Sequence, residues 1–426
     1  MSSILQQARN TSSNDVMFAD INRLWGEPSY VNFQNRIRLQ SKWNAWGLWI
    51  FCAGIKMAPT RVLCIFVAIL LHPHLRSFDS DAAILFYGPS KNNDRVLRRV
   101  ADILGGTCGH EAFGSQTAPL FLRLQAAMQW GQLVAMSRAL SPYRRTETLL
   151  ALQLMFTAAA RVYFEHYLRQ CRARAVILAN DRSPMQVGLR AAAAQCNLKC
   201  VYCQHAPISP LYPPLKFDLS LLSDQASLAA YQRIGTVEGD VTFLPVFQYK
   251  ASPISKVQTM ATVGVCLSRV WANDRIVCRL RELCAHRDVK EIFLRTHPEH
   301  KVSLDHLVAL DPRIKLAQHD DIISFAQKCE LVVVPGSGVL IELLHSGAPC
   351  IYAGDLDLLG HDPHGFVAAG LVSDWTGRSL VNLSKEVNSF FDADWCRAFT
   401  DYDPTTNMDP DMLDDRVRVA LRKTLA

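Results

Sequence analysis

The sequence predicts an α/β protein with two Rossmann-like domains, each built on a parallel sheet. Short apolar runs rich in β-branched residues, such as 292–294 and 331–334, alternate with helical patterns along the chain. Runs of this kind between helices are typical of buried parallel strands. A chain of 426 residues is also long enough for two hydrophobic cores. We therefore expect domains at 76–245 and 255–426, preceded by a helical, apolar extension at 1–75.

The extension contains two apolar stretches, WGLWIFCAGI and VLCIFVAILL, separated by Lys56, Pro59 and Arg61. Neither stretch reaches the roughly 20 apolar residues that a membrane-spanning helix needs. One interpretation is a buried pair of helices. The other is a peripheral contact of residues 43–72 with a membrane, with tryptophans at the interface and cations at the headgroups.

The composition is that of a globular protein. The chain is 49% hydrophobic and 20% charged, and its net charge of +6 suits anionic substrates or an anionic membrane face. The polar N-terminus shows no pattern of a cleaved signal, and the 13 cysteines are an odd number. We therefore expect reduced thiols, a cytoplasmic location and no nucleic-acid partner.

The first domain starts with a strand at 81–87, a loop at 88–93 and a helix at 94–104 that ends in Gly105-Gly106, a C-capping signal. Alternating strands and helices then predict a parallel sheet. The remaining predictions are helices at 118–140, 147–172, 185–195 and 224–234, strands at 175–179, 200–203, 217–223 and 263–268, and a linker at 238–256.

The strand at 292–294 is followed by polar residues of the kind that a ligand site needs. Arg295, His297, Pro298 and Glu299 come at its carboxyl end. In an open α/β sheet, that edge is where ligands bind. An arginine and a histidine at this edge indicate an anionic ligand.

The strand at 331–334 leads into a second loop of the same type. Gly336, Ser337 and Gly338 open an amphipathic helix that carries Glu342. A helix that begins after a glycine-rich turn offers free N–H groups to an anion. The two loops together predict a site for a phosphate-bearing ligand.

This ordered set resembles the C-terminal half of a GT-B glycosyltransferase. In particular, it resembles the bacterial capsule and lipopolysaccharide sialyl- and Kdo-transferases, which carry an HP motif and a serine loop. The resemblance covers roughly residues 173 to 375 and rests on Arg295 to Pro298, on Ser337-Gly338 with Glu342, and on the return strand at 347–352. It implies the GT-B arrangement of two Rossmann-like domains.

The resemblance also implies an activity, namely an inverting, metal-independent transfer from a nucleotide-sugar, with a CMP-sugar favoured, in surface polysaccharide synthesis. The partners would be the nucleotide-sugar and a glycan or lipid-linked acceptor, without a further cofactor, in the cytoplasm or peripherally on the inner membrane. His297 would contact the donor phosphate. The full set expected to bind the donor is His205, Arg295, Pro298, Glu299, Gly336, Ser337, Gly338 and Glu342.

Three residues are expected to act in catalysis. An inverting transferase needs a base for the acceptor hydroxyl. Asp181, at the carboxyl end of a strand, is one candidate and Glu111 is the other, while His297 would help to offset charge on the leaving phosphate. His205 lies in Gln204-His205-Ala206, where the related transferases have a glycine in the third position, so a close backbone approach to the ligand is not assured.

The sequence also allows two alternative functions. Teichoic-acid-like transferases, which transfer a polyol phosphate, use a similar His-Pro and serine loop. Separately, Cys196, Cys200 and Cys203 have the CxxxCxxC spacing of the cluster-binding loop in radical S-adenosylmethionine enzymes. In this chain the motif follows a helix deep in the sequence, which favours ordinary buried thiols.

Overall fold

The computed structural model contains two six-stranded parallel sheets and one two-stranded antiparallel sheet. This confirms the prediction of an α/β protein with two Rossmann-like domains. The residues that the structure describes are 17–19, 21, 55–72, 75–88, 91–105, 111–114, 116–145, 148–209, 212–244, 251–268, 271–297, 303–317, 320–357, 361–378 and 383–426.

The strands in chain order are β1 Arg76–Ser77, β2 Ile84–Tyr87, β3 Glu111–Phe113, β4 Gln116–Thr117, β5 Ala175–Leu178, β6 Lys199–Cys203, β7 Lys216–Leu222, β8 Glu238–Phe243, β9 Thr262–Cys266, β10 Glu291–Arg295, β11 Ile314–Leu316, β12 Leu331–Val334, β13 Cys350–Tyr352 and β14 Ser373–Asp374. The helices are α1 Ala58–Leu71, α2 Lys91–Leu104, α3 Leu120–Ala127, α4 Trp130–Ala139, α5 Thr148–Leu168, α6 Pro184–Gln195, α7 Gln225–Ile234, α8 Asn273–Ala285, α9 Asp305–Val308, α10 Ile322–Lys328, α11 Val339–His345, α12 Leu383–Phe390, α13 Ala393–Tyr402 and α14 Pro410–Leu425.

The first large sheet has the strand order β3-β2-β5-β6-β7-β8. Its order reverses between β2 and β5, because the chain moves outward to β3 and then returns to the other side of β2. The carboxyl ends of β2 and β5 therefore border the crevice in which such sheets bind ligands. The core strands β2 and β5 are buried along their whole length.

The second large sheet has the order β11-β10-β9-β12-β13-β14, and all its described pairings are parallel. Here the reversal lies between β9 and β12. The loop that begins at Pro335 thus follows one of the two strands at this switch point. The loop that begins at Thr296 follows β10, the next strand on the other side of β9.

Two sequence predictions were wrong in detail. Residues 238–256 were expected to be a linker, but Glu238–Phe243 forms β8, the edge strand of the first sheet. This strand is exposed or half-buried throughout, so it lacks the apolar alternation that identifies a strand. The single helix predicted at 118–140 is interrupted at Met128 and Gln129, which separate α3 from α4.

The last helix, α14, packs on the first sheet although its sequence lies in the range predicted for the second domain. Val417, Leu421 and Leu425 are buried in the same core as residues of β2 and β5. An ion pair of 2.9 Å between Arg99 on α2 and Asp414 holds the helix from the side. The chain therefore crosses between the two domains a second time, after α13.

The N-terminal extension joins the core of the first domain. Met17, Phe18 and Ile21 are buried together with the inner face of α1. Most of the stretch WGLWIFCAGI lies outside the described residues, and the stretch VLCIFVAILL forms α1. Within the described part of the chain, no helix combines the length and the apolar character that crossing a membrane requires.

The two domains also meet at a pair of buried carboxylates. Asp224 caps α7 of the first domain, and Asp403 follows α13 of the second domain. Burial, together with the charge of Asp224, raises the pKa of Asp403 to about 6. Only 5% of Asp403 is exposed, so its ionised form is poorly solvated in the folded protein.

We expect Asp403→Asn to change how stability depends on pH. A carboxyl group whose pKa is raised on folding stabilises the protein most when protonated, and this contribution is lost as pH rises through about 6. The free energy of unfolding of the variant, relative to the wild type, should therefore rise by roughly 2 kcal/mol between about pH 4 and pH 7. Urea unfolding over this pH range measures the difference, and a pH-independent difference would contradict the assignment.

Candidate active site

The loops at the carboxyl edges of the two sheets contact each other directly. A Cβ atom built on Gly338, after β12, would lie 2.8 Å from Cδ of Pro207, which follows β6 of the first domain. The imidazole of His364, in the loop after β13, hydrogen-bonds to the backbone of Ile208. The ligand-binding edges of both domains therefore face one common cleft.

Two arginines approach Glu342 in this cleft from different domains. Arg95, on α2 of the first domain, lies 3.9 Å from the Glu342 carboxylate. Arg295, at the carboxyl end of β10, is close enough to Glu342 to influence its ionisation. Burial raises the pKa of Glu342, and Arg95 and then Arg295 act in the opposite direction. Both cations thus face the same point.

Arg295 is positioned by its own domain. Its guanidinium donates to the Asp320 carbonyl and lies over the ring of Phe325, 5.6 Å from the ring centre. These contacts fix the direction of the side chain while leaving some of its five N–H donors for other partners. Arg295 is half-buried, which strengthens its interaction with any anion that enters the cleft.

Both glycines of the loop that carries Ser337 pack closely against proline side chains. A Cβ atom on Gly336 would lie 2.9 Å from Cγ of Pro363, and one on Gly338 would meet Pro207 as described. Helix α11, which follows, has only seven residues. Ser337 itself is half-buried, and its hydroxyl lies 3.5 Å from the backbone N–H of Val339.

His297 and Ser337 lie at the same edge of the second sheet, because β10 and β12 are both parallel to β9. One strand separates them, which corresponds to about 10 Å between their strands. His297 is half-buried. The two remaining donor-site predictions after β10, Pro298 and Glu299, lie outside the described residues.

Asp181 is enclosed at the carboxyl end of β5, beside the switch point of the first sheet. Only 3% of it is exposed, and Oδ2 accepts a 2.6 Å hydrogen bond from the hydroxyl of Tyr231. Oδ1 is buried and has no hydrogen-bond partner among the described residues. Burial is the main cause that raises the pKa of Asp181, opposed by the Tyr231 hydrogen bond and by Arg182.

Glu111 is placed differently by the backbone. It is the first residue of β3 and pairs with Ile84, the first residue of β2. Both residues therefore lie at the amino end of their strands, and the cleft is at the opposite end. Of the two candidate bases, Asp181 is the one whose backbone lies at the ligand edge.

His205 belongs to a polar cluster on the floor of the cleft. Burial, and then the positive charge of Arg182, lower its pKa to about 3, and its ring hydrogen-bonds to the backbone of Ala179. Burial and Arg182 likewise lower the pKa of His364 to about 4. Both imidazoles are therefore neutral near pH 7, and in each the Nδ1 atom is buried without a partner among the described residues.

Sequence reasoning assigned no role to Arg95, Arg182 or His364. Arg95 lies inside an amphipathic helix, where an arginine usually faces solvent. Arg182, whose guanidinium lies 4.6 Å from the ring centre of Tyr212, directly follows Asp181 at the end of a strand. That position is the one signal in the sequence by which it could have been found.

The three cysteines of the CxxxCxxC motif do not converge, so the radical S-adenosylmethionine alternative was wrong. Cys200 and Cys203 lie on β6 three residues apart, and they belong to the hydrophobic cores on opposite faces of the sheet. Cys196 caps the end of α6. Burial raises the pKa of the Cys200 thiol to about 12 and that of Cys203 further, so both are neutral thiols.

Three solved structures are similar to this chain, and the first of them supports the architecture. CalG4, the calicheamicin glycosyltransferase, aligns with a TM-score of 0.52 at 11% identity over 81% of this chain and 98% of its own. The UDP-N-acetylglucosamine 2-epimerase from Rickettsia bellii aligns with a TM-score of 0.48 at 9% identity over 81% and 97%. The glycotransferase of kitacinnamycin aligns with a TM-score of 0.46 at 11% identity over 80% and 98%.

No protein-family model and no curated protein sequence matches the chain. At 11% identity, the likeness to CalG4 establishes the GT-B arrangement of the two domains and nothing finer. A shared fold does not determine the reaction. The function therefore has to be argued from the residues in the cleft.

We expect Gly338→Ala to disturb the contact between the domains. The backbone of Gly338 has φ −58° and ψ −18°, which alanine adopts without strain, so the effect comes only from the new methyl group against Pro207. Overpacking of this kind costs about 1–3 kcal/mol in the free energy of unfolding. Removing ring atoms with Pro207→Ala in the same chain should restore most of the loss.

Gly131→Ala is the matched control, because Gly131 lies in α4 with nothing within 4 Å of the added Cβ. Its stability should stay equal or rise by up to about 1 kcal/mol. Urea unfolding measures all three variants. If Gly338→Ala behaves like Gly131→Ala, the two domains are not in contact at this point.

Proposed function

We propose that the chain is an inverting, metal-independent glycosyltransferase that uses a nucleotide-sugar, with a CMP-sugar favoured, in bacterial surface polysaccharide synthesis. The observation that carries this proposal is the approach of Arg95 and Arg295, from different domains, to a single point in a GT-B cleft. Two guanidinium groups facing one point suit a phosphate, since arginine binds phosphate oxygens through paired N–H donors.

The donor nucleotide binds to the second domain in this proposal. Arg295 and His297, at the end of β10, contact the phosphate, and Glu342 and the loop at Ser337 hold the ribose side of the nucleotide. In this arrangement Arg95 from the first domain completes the phosphate site when the domains close. Fixed cations at the point where charge develops supply the electrostatic stabilisation that a metal ion supplies in other transferases.

The reaction is a single displacement at the anomeric carbon. The acceptor hydroxyl oxygen forms the new bond to this carbon, and the bond from the carbon to the phosphate oxygen breaks with its electron pair. The hydroxyl proton passes to Asp181, because Tyr231 donates to Oδ2 while no described residue contacts Oδ1 by a hydrogen bond. A carboxylate with a raised pKa is a better base for this step than an exposed one.

The acceptor in this proposal is a glycan or a lipid-linked glycan that enters from the first domain. His205 and His364 are both neutral near pH 7, and the Nδ1 atom of each has no hydrogen bond to any residue that the structure describes. Neutral imidazoles at this position suit hydrogen bonds with sugar hydroxyls. Because their pKa values are low, these two imidazoles carry no positive charge with which to bind the phosphate near pH 7.

We expect CMP to bind more tightly than UDP or GDP when nucleotides are titrated by calorimetry. Arg295→Ala should weaken CMP binding by about tenfold or more, because a charged hydrogen bond to the phosphate is lost. Arg397→Ala, which removes a guanidinium from an exposed ion pair on α13, is the matched control and should bind normally. Release of CMP from a CMP-sugar in the presence of glycan acceptors then tests turnover.

Three results would redirect the proposal. Tighter binding of UDP or GDP contradicts the CMP-sugar donor. Turnover of CDP-glycerol or CDP-ribitol instead of a CMP-sugar indicates the polyol-phosphate transferase. If no nucleotide binds, the proposed function fails altogether.

We expect Asp181→Asn to lower kcat by roughly 100-fold or more, because a general base contributes this much to a proton transfer. Nucleotide affinity should be unchanged, since Asp181 lies in the acceptor domain. Tyr231→Phe is the matched control; it removes the 2.6 Å hydrogen bond but keeps the carboxylate, and should change kcat far less. Full activity of Asp181→Asn would show that another residue acts as the base.

A further inference from the structure

The helices α1, α3 and α4 expose several large apolar side chains. Phe121 is 59% exposed and Trp130 is 52% exposed, and their neighbours on the surface are similar. Phe121 and Leu124 are one turn apart in α3, and Trp130 and Val134 are one turn apart in α4, so each pair lies on one exposed side of its helix. The main members are Leu63, Leu71, Leu120, Phe121, Leu124 and Trp130.

The three helices form one surface because α1 runs antiparallel to the α3–α4 segment. Arg123 on α3 donates to the carbonyl of Leu70 at 2.9 Å, and the rings of Phe66 and Trp130 stack at 6.0 Å. At the other end, Ser137 on α4 donates to the carbonyl of Ala58. We call this surface, formed by the outer sides of α1, α3 and α4, the apolar face.

The apolar face carries positive charge and no negative charge. Residues 55–72 and 116–145, which build it, contain no Asp or Glu. Lys56, Arg138, Arg144 and Arg145 are all exposed, and they cluster at the end of the face where α1 begins and α4 ends. An ordinary surface helix of a globular protein shows mixed charges on its outer side, and this face does not.

The basic end of the face points toward the active-site cleft. Helix α6 begins directly after the carboxyl end of β5 and runs away from the cleft. Helix α5 runs parallel to it, since Gly188 packs on Ala160 and Sγ of Cys196 lies 4.0 Å from the carbonyl of Glu165. The start of α5 therefore extends past the start of α6 toward the cleft, and Arg144 and Arg145 lie just before it.

We propose that the apolar face docks on a bilayer of anionic phospholipids, with the side chains of α3 and α4 entering the headgroup region. Exposed aromatic and aliphatic residues beside a cluster of cations are the combination that peripheral helices use to bind such membranes. A second copy of the chain is a poorer occupant, because a two-fold contact of this face supplies no negative charge to its cations. Docking here places the mouth of the cleft close to the lipid surface.

Co-sedimentation of the full chain with vesicles tests this proposal. The protein should pellet with vesicles of phosphatidylcholine mixed with phosphatidylglycerol, and far less with phosphatidylcholine alone. The variant with Phe121→Ser and Leu124→Ser should bind roughly tenfold more weakly or worse, because two inserted apolar side chains are lost. Arg144→Glu with Arg145→Glu should weaken binding to the anionic vesicles specifically, as should high salt.

The chain offers a matched control for each variant. Val419→Ser changes an apolar residue that is 67% exposed on α14, and Arg287→Glu with Arg397→Glu reverses two exposed cations on the second domain. Both controls should bind anionic vesicles like the wild type. An unchanged midpoint of urea unfolding shows that the Phe121 and Leu124 variant is folded, and this measurement does not depend on the proposed activity.

Three outcomes overturn the proposal. One is that the wild type fails to bind anionic vesicles. Another is that the Phe121 and Leu124 variant binds them as well as the wild type does. The third is that ultracentrifugation shows a dimer which this variant converts to a monomer, which makes the face an interface between copies of the chain.

Discussion

The contact between the carboxyl edges of the two sheets is the constraint on which the cleft depends. Gly338 leaves no room for a side chain against Pro207, and Gly336 leaves little against Pro363. Glycines in such loops are usually explained by a ligand that must come close to the backbone. Here the two glycines are required because the loops of the two domains pack against each other. This contact also determines where the polar residues of the cleft lie.

The charges in the cleft divide by domain in a way that suits a transfer reaction. The second domain supplies Arg295 and Glu342, and the first supplies the enclosed carboxylate of Asp181 and the neutral His205. An anionic donor and an uncharged sugar hydroxyl need environments of these two kinds. Arg95 is the exception, because it extends from the first domain to the charged half of the cleft.

Hydrophobic patterning predicted the fold well. Buried parallel strands such as β5 and β12 are short, continuous apolar runs, and such runs between helices are typical of a parallel sheet. It failed at β8, whose exposed and polar residues have no such pattern, and at the break between α3 and α4, which no proline marks. The position of Arg295 at a strand end was readable from the order of residues. The role of Arg95 was not, since its partner Glu342 is about 250 residues away and only the packing of the two domains against each other brings them together.

The return of α14 to the first sheet has a consequence for how the protein is made. Val417, Leu421 and Leu425 fill one side of a core whose strands leave the ribosome hundreds of residues earlier. Until α14 has been synthesised, that side stays uncovered, and a nascent chain stalled or truncated before 410 exposes an apolar surface to chaperones and proteases. The sixteen residues of α14 thus complete the core of a domain whose strands are translated much earlier.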